Sequence, residues 1–282
     1  MAHGAECEAP APRSALIEIN RVYSYLVYGE ECSLVAGTPR SLIQTKCGDC
    51  PIRHRAVCAH CEKDELDELD RVKNYRSYQP GDVIGWAGDD LEMVGSVVDG
   101  VAMLSSTLPD GRRQMVGLLL PSDFLGRPGR SQMSYDVVAA TEITFCMFKK
   151  AEFERMVARS PRIERRLLEM TLDELDAARE WMLLLGRKTA REKIASLFVI
   201  MARRDAALHQ QMPRDGLRFP LYITREAMAD YLGLTIETVS RQISALRKSG
   251  LVQLGDNRIV HVPDFAELIT QSGDDADGGV LA

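Results

Sequence analysis

Residues 224–250 read Thr224-Arg225-Glu226-Ala227-Met228-Ala229-Asp230-Tyr231-Leu232-Gly233-Leu234-Thr235-Ile236-Glu237-Thr238-Val239-Ser240-Arg241-Gln242-Ile243-Ser244-Ala245-Leu246-Arg247-Lys248-Ser249-Gly250. This is the pattern of two helices joined by a short turn, a helix-turn-helix unit. Ala227 is small enough to let the two helices approach. Gly233 supplies the left-handed turn residue. Thr235 is placed to cap the second helix, whose apolar face is Ile236, Val239, Ile243 and Leu246. The other face carries Glu237, Thr238, Ser240, Arg241, Ser244, Arg247 and Lys248. That set suits a DNA major groove. Arg241 can donate a bidentate pair to guanine O6 and N7, Glu237 can accept from a cytosine amino group, and Ser240 can do either. Arg247 and Lys248, a turn or two further on, suit phosphate. The competing reading is an ordinary packed helix pair, and charge does not decide it. Residues 221–260 hold five Lys/Arg against four Asp/Glu.

Outward toward the C-terminus, Leu251–Gln253 and Arg258–His261 flank Gly255-Asp256-Asn257 and predict a small β-wing. Toward the N-terminus lie a polar loop, His209 to Arg218, and an amphipathic helix, Lys188–Arg203, with Ile194, Leu197, Phe198 and Met201 on one side. A longer helical pattern precedes it. Ala151–Val157 starts it, and Ser160-Pro161 restarts it as N-cap and first helical residue. Leu168, Leu172, Leu175, Ala178, Met182 and Leu185 then recur at threes and fours, as in a coiled-coil seam. We read them as the interface of a parallel homodimer. A second stripe, Leu167, Met170, Ala177, Trp181 and Leu184, is free to pack on the chain's own domain. Gly186-Arg187-Lys188 is a candidate hinge.

Between Val72 and Phe148 the texture is different. Short apolar runs at Met93–Val98, Ala102–Thr107, Gln114–Leu120, Tyr135–Ala140 and Thr144–Phe148 alternate with Gly, Asp and Pro turn signals. Such spacing argues for a β-sandwich or jelly-roll barrel. The fold class expected is therefore α+β: flexible leader (1–45), loop and jelly-roll β-barrel sensor domain (46–158), dimerisation helix (159–187), winged helix-turn-helix (188–270) and disordered tail (271–282).

One stretch stands apart. Cys47-Gly48-Asp49-Cys50-Pro51-Ile52-Arg53-His54-Arg55-Ala56-Val57-Cys58-Ala59-His60-Cys61 places four of the chain's seven cysteines at C-x2-C-x7-C-x2-C spacing. Two thiolates two residues apart can grip one metal centre. Arg53, His54, Arg55 and His60 surround them, and nearby positive charge favours the thiolate that binds metal. The local sequence reads as a metal site and does not name the metal. Structural zinc is an alternative, although seven residues is a short spacer. Disulfides fit secreted domains, and the N-terminus lacks a signal-type apolar region. Cys7 and Cys32 lack partners at metal spacing and are read as non-ligands. Lys63–Asp70 reads as a short helix with an acidic, exposed face.

The whole chain sets outer bounds. Its 282 residues suggest about two domains. Hydrophobic content of 45% and charged content of 27% are ordinary for a soluble protein. No apolar run approaches the roughly 20 residues that cross a bilayer. The N-terminus has no apolar h-region with positive flanks, so cytoplasm is expected. The net charge of −6 neither suggests nor excludes a nucleic-acid partner. No second cofactor motif or acid–base pair supports an enzyme.

Barrel, long helix and winged helix-turn-helix, in that order, resemble the CRP/FNR superfamily of bacterial transcription regulators. The cysteine stretch resembles that of its FNR branch. Cys47 to Cys58, Met115-Val116-Gly117-Leu118-Leu119-Leu120-Pro121-Ser122-Asp123-Phe124 and Gly186 to Leu197 are similar to the FnrL/FnrN-type regulators of alphaproteobacteria. The resemblance implies an oxygen-labile [4Fe–4S] cluster on Cys47, Cys50, Cys58 and Cys146, with Cys61 spare or substituting for Cys58 or Cys146. Without it, Cys146 in Thr144–Phe148 reads as a buried core thiol. It also implies a DNA-reading set of Glu237, Ser240 and Arg241, an inverted-repeat TTGAT-type site, and contact with RNA polymerase. Two departures stand out. Pro121–Arg130 lacks the Gly-Glu and Arg-Ser arrangement by which relatives hold a cyclic nucleotide. Ala178 sits where some members carry an acidic residue that weakens the dimer.

Overall fold

Two four-stranded antiparallel sheets form the N-terminal half of the computed structural model, which describes residues 45–255 and 258–274. The strands are β1 (Asn74–Tyr78), β2 (Val83–Gly85), β3 (Met93–Asp99), β4 (Ala102–Thr107), β5 (Arg113–Leu119), β6 (Phe124–Leu125), β7 (Asp136–Ala139) and β8 (Ile143–Lys149). One sheet runs β1-β8-β3-β6 and the other β2-β7-β4-β5, a jelly-roll arrangement. The five strands expected from the pattern are all present. β1, β2 and β6 were not expected, because they are short and β1 (Asn-Tyr-Arg-Ser-Tyr) has no apolar alternation to betray it.

Side-chain alternation sorts β3 and β8 into two faces. Val97, Ile143, Phe145 and Met147 fill the barrel interior with Leu119, Leu125 and Val137. Val94, Val98, Cys146 and Phe148 face outward, under the cysteine loop and the helices. Both faces are covered, so β8 is buried almost throughout. Gly95 lets the two strands lie close at this point. A Cβ there would stand 2.2 Å from the Cys146 carbonyl oxygen.

Helix α1 (Lys63–Val72) follows the cysteine loop, and α2 (Lys150–Val157) leads into α3 (Pro161–Arg187). Ser160 caps α3, its Oγ accepting from the Ile163 amide at 3.2 Å, and Pro161 follows at the first position. Such a cap stabilises a helix by about 1 kcal/mol. At 1.5 Å per residue α3 is about 40 Å long. It continues through Gly186, the first residue of the expected hinge, and the break between helices falls at extended Lys188 and Thr189. The reason is local: Thr189 and Glu192 form a capping box that starts a new helix, α4 (Ala190–Leu208). α4 runs five residues beyond its expected end.

The C-terminal part contains β9 (Leu217–Pro220), α5 (Arg225–Leu232), α6 (Ile236–Lys248), β10 (Gln253–Leu254), β11 (Ile259–Val262) and α7 (Phe265–Ser272). The wing is a three-stranded sheet, β10-β11-β9. Its third strand, β9, lies at the end of what reads in sequence as a polar loop. Gly233 is left-handed, at φ 62° and ψ 44°. Thr235 caps α6 through its side chain. Val239, Ile243 and Leu246 are buried, whereas Ile236 is 43% exposed. Ile236 is the first residue of its helix and projects past the edge of the core.

Cys7, Cys32, nearly all of the expected leader, Asp256 and Asn257 of the wing, and residues 275–282 of the expected tail lie outside the described residues. Among the described residues no helix is long and apolar enough to cross a membrane.

Candidate metal centre and nucleic-acid interface

The cysteine loop is a series of tight turns. A 3-10 turn spans Cys47–Asp49, and the amides of Arg53, Ala56 and Ala59 then close back onto Cys50, Ile52 and Ala56 carbonyls at 2.9–3.0 Å. Ile52, Ala56 and Val57 point inward and are buried. Arg53 fastens the loop from outside, donating to the Ala59 and Cys61 carbonyls at 2.6 and 2.8 Å.

This loop lies over the outer face of β8. One cavity between them is lined by Cys47, Cys50, Cys58 and Cys146, together with Ile52, Val57, Leu69, Tyr75, Ser96 and Phe148. Cys61 is not on its wall but is buried beside it, in the apolar cluster that also takes in Cys47, Cys58 and Cys146. All five thiols are free. Among the described residues no carboxylate or imidazole lines the cavity. Among the described residues no three His, Cys, Asp or Glu side chains stand at single-ion spacing; the four thiols are ranged around the wall. Soft thiolates in an apolar shell are the donor set of iron–sulfur and zinc centres. The Ser96 hydroxyl on this wall is buried without a hydrogen-bond partner among the described residues. Such an orphan costs about 1–3 kcal/mol when nothing occupies its donor. Four thiols and an orphaned donor at one apolar cavity fit an iron–sulfur cluster.

The electrostatics differ from the sequence expectation that surrounding cations would lower the thiols. Burial pushes Cys47 up to about 12, against the opposing pull of Lys73. It raises Cys50, Cys58 and Cys146 in the same way, with Lys73 and Arg53 acting weakly against it at Cys50 and Cys58. Desolvation outweighs the cations because the loop buries its sulfurs while Arg53 spends its donors on carbonyls. Lys73 does sit at the first thiol, 3.8 Å from the Cys47 sulfur, and donates at 2.6 Å to both Asp70 and the Thr45 carbonyl. Asp70 also accepts from the Cys47 amide at 2.9 Å.

Contacts lead from this loop to α3. Arg166 donates to the Arg55 carbonyl at 2.6 Å and more weakly to that of Ala56 at 3.4 Å. His60 lies 3.7 Å from Glu169. Glu62 pairs with Arg162, Glu65 accepts from Ser160, and Glu68 pairs with Arg159 at 2.8 Å. A second set leads to the C-terminal part. The His54 ring meets the Ala207 carbonyl at 3.2 Å, and Arg204 pairs with Asp123 at 3.0 Å. Trp181 of α3 stacks on Tyr231 of α5, with centroids 3.8 Å apart.

On α3, Leu168, Leu172, Leu175, Ala178 and Met182 are exposed, and Leu185 is half-buried. Leu183, absent from the expected seam, is 57% exposed and flanks it. Of the second stripe, Leu167 and Met170 pack beside the cysteine cluster, and Leu184 is fully buried. Trp181 serves the helix-turn-helix instead.

The polar face of α6 is open. Glu237, Arg241, Arg247 and Lys248 are exposed, and Thr238 and Ser240 half-exposed. Thr238 holds Arg241, accepting from its guanidinium at 3.2 Å. The free amide at the helix start and the Thr235 hydroxyl hold the Glu237 carboxyl below its ordinary range, so it is an anionic acceptor.

Residues 75–160 match the family described as cyclic nucleotide-binding domain, and residues 192–270 match the Crp-like helix-turn-helix domain. The chain is similar to "Transcriptional activator protein FnrL" of Cereibacter sphaeroides, 61% identical over 83% of this chain and 95% of that protein. It is 39% identical to "Nitrogen fixation regulation protein FixK" of Bradyrhizobium diazoefficiens, over 74% of this chain and 86% of that one. The solved structure of FixK2 from Bradyrhizobium japonicum superposes with a TM-score of 0.64 at 31% identity, covering 71% of this chain and 97% of that one. These relatives are regulators and not enzymes, and this chain belongs to the CRP/FNR family of DNA-binding transcription regulators, in its FnrL-type branch.

Proposed function

We propose that this protein is an oxygen-responsive transcription activator, a repressor at some sites, whose DNA-binding homodimer depends on a [4Fe–4S] cluster held by Cys47, Cys50, Cys58 and Cys146. The observation that carries the reading is that these four thiols line one apolar cavity whose covering loop is gripped by Arg166 of α3. When bound, such a cluster supplies an oxygen-labile link between the loop thiolates and β8.

The chain's own residues do the rest. The loop held against β8 keeps its Arg55 and Ala56 carbonyls on Arg166, and so fixes the first turns of α3. A fixed α3 offers Leu168, Leu172, Leu175, Ala178, Met182 and Leu185 to a second copy. Pairing sets two α6 helices about 34 Å apart, one turn of DNA, so that both halves of an inverted TTGAT-type repeat are read. At each half-site Arg241 reads guanine, Glu237 reads cytosine, and Ser240 and Thr238 add hydroxyl contacts. Arg247 and Lys248 hold phosphate. One α6 alone binds too weakly at cellular salt, so loss of pairing releases the DNA. Bound dimers contact RNA polymerase, and the protein acts in the cytoplasm, where its DNA is.

The test is the visible spectrum of anaerobically purified protein before and during exposure to air, with a gel shift on an inverted-repeat duplex alongside. A broad thiolate-to-iron band that fades within minutes, together with the shifted duplex, is expected. Colourless protein after anaerobic reconstitution with iron and sulfide, carrying zinc and no acid-labile sulfide, would sink the cluster and leave a zinc-stabilised regulator.

A further inference from the structure

Ser96 sits in the middle of β3 and is 2% exposed. It faces outward from the barrel, onto the cavity that the four thiols line. Its direct cross-strand neighbour on β8 is Cys146, and on the other side Phe124 of β6. Directly opposed residues of antiparallel strands share a face with Cβ atoms about 5 Å apart. Ser96 and Cys146 therefore point the same way, side by side.

The Ser96 hydroxyl has no hydrogen-bond partner among the described residues. The same sheet offers a contrast. Ser77 of β1 and Thr144 of β8 are also cross-strand neighbours, and their hydroxyls bond each other at 2.8 Å. Ser96 has no such mate. The side chains of Ile52, Val57, Leu69 and Phe148 around the cavity carry no acceptor, and the Tyr75 hydroxyl on the same wall, which donates to the Thr45 carbonyl at 3.2 Å, is not bonded to Ser96. Among the described residues, the other polar atoms that the cavity's side chains carry are the four sulfurs. A neutral thiol is a weak acceptor. A thiolate or sulfide that carries negative charge is a strong one, and a hydroxyl bonded to it makes a charge-assisted hydrogen bond.

We propose that Ser96 is a positioned donor to the sulfur of the cluster on the Cys146 side, and that it slows the cluster's loss to oxygen. The inference rests on the cluster reading above. A donor to sulfur draws electron density from it, raises the reduction potential, and so makes an electron harder to remove. Burial among apolar side chains keeps water from competing for the same sulfur. Ser96 is thus a positioning and tuning residue. It is not a ligand.

The experiment compares wild type, Ser96→Ala and Ser96→Thr as full-length chains. Anaerobic reconstitution with iron and sulfide comes first. Iron uptake by wild type tests the underlying reading, and a wild type that takes up none defeats that reading before Ser96 is examined. With wild type loaded, Ser96→Ala is expected to hold the same iron and sulfide, to show a lower midpoint potential, and to lose its visible band in air about three to ten times faster. Ser96→Thr, which keeps the hydroxyl, is expected to retain the wild-type potential. Iron–sulfur stretching bands that shift between water and deuterium oxide in wild type are expected not to shift in Ser96→Ala. In the cluster-free proteins, Ser96→Ala is expected to melt no lower than wild type, because it removes an unpartnered hydroxyl. Equal potentials and equal decay rates, loss of iron from Ser96→Ala, or a lower melting temperature of its cluster-free form would each overturn the proposal.

Discussion

Arg166 of the long helix α3 donates through its guanidinium to the carbonyl oxygen of Arg55, 111 residues earlier, at 2.6 Å. It is mostly buried, with 17% of its side chain exposed, and its other donors reach the Ala56 carbonyl and Glu169. Hydrogen bonds from a charged group contribute about 1.5–3 kcal/mol each. The neighbouring ion pairs, such as Arg159 with Glu68, are open to solvent and worth much less. We therefore expect Arg166→Met to keep its iron but to weaken anaerobic dimerisation by roughly tenfold to a hundredfold. Sedimentation of anaerobic protein checks it. A variant that dimerises normally would show that the loop does not act through this residue.

Cys61 separates the two ligand assignments. It lies off the cavity wall, so Cys61→Ala is expected to bind a full complement of iron. Cys47→Ala, Cys50→Ala, Cys58→Ala and Cys146→Ala are each expected to lose it, together with anaerobic DNA binding. Iron and acid-labile sulfide analysis decides. Iron loss from Cys61→Ala with retention in Cys58→Ala would transfer the ligand role.

The buried thiols also predict how the cluster-free protein responds to alkali. Burial holds Cys47 and Cys61 protonated up to about 12, against an ordinary value of 9.0. A folded-state value above the unfolded one gives stability that is present below about 9 and is lost as pH rises toward 12. Melting temperatures of the cluster-free chain should therefore fall over that window. Cys61→Ala should fall less steeply, and identical slopes would mean that Cys61 is not buried in solution.

On the DNA face, two kinds of contact give different losses. Arg241→Ala is expected to cost about 1–3 kcal/mol on a cognate duplex and to relax the choice at one base. Lys248→Ala is expected to weaken binding evenly across sequences and to reduce the slope of log affinity against log salt by about one. Titrations on cognate and single-mismatch duplexes at several salt concentrations distinguish them. Uniform weakening by Arg241→Ala would make it a phosphate contact.

Trp181 reports on the joint between α3 and the DNA reader. Its stack on Tyr231, at 3.8 Å and 22°, contributes about 0.5–1.5 kcal/mol beyond area burial. The chain has two tryptophans, and Trp86 is on the barrel. In a Trp86→Phe background, Tyr231→Ala should red-shift Trp181 emission and increase its quenching by acrylamide. Unchanged emission would mean that the two rings do not stack in solution.

Much of this architecture was legible in the chain itself. The helix-turn-helix, its turn and the cap of its second helix could be read because Gly233 and Thr235 act through their own backbone neighbourhood. The five long strands could be read for the same reason, from alternation and turn residues. β9 could not, because four residues, Leu-Arg-Phe-Pro, acquire strand character only by pairing with β11. α7 went unread because Phe265–Ser272 is short and precedes a tail rich in Asp and Gly. Ser96 looked like any strand serine, and nothing local says that its cross-strand neighbour is a cysteine.

The sequence by itself determined the three-part order of barrel, long helix and reader, and the presence of a thiol-rich loop. Local periodicity, caps and spacing carry that information without any distant contact. Only the tertiary structure decided that Cys146 faces the loop and not the barrel interior, because β8 is apolar on both faces and its alternation is hidden. It decided too that Cys61 lies off the cavity wall, that burial outweighs the loop's cations, and that Arg166 grips the loop. Each of these depends on which surfaces meet, and on how much water is excluded when they do.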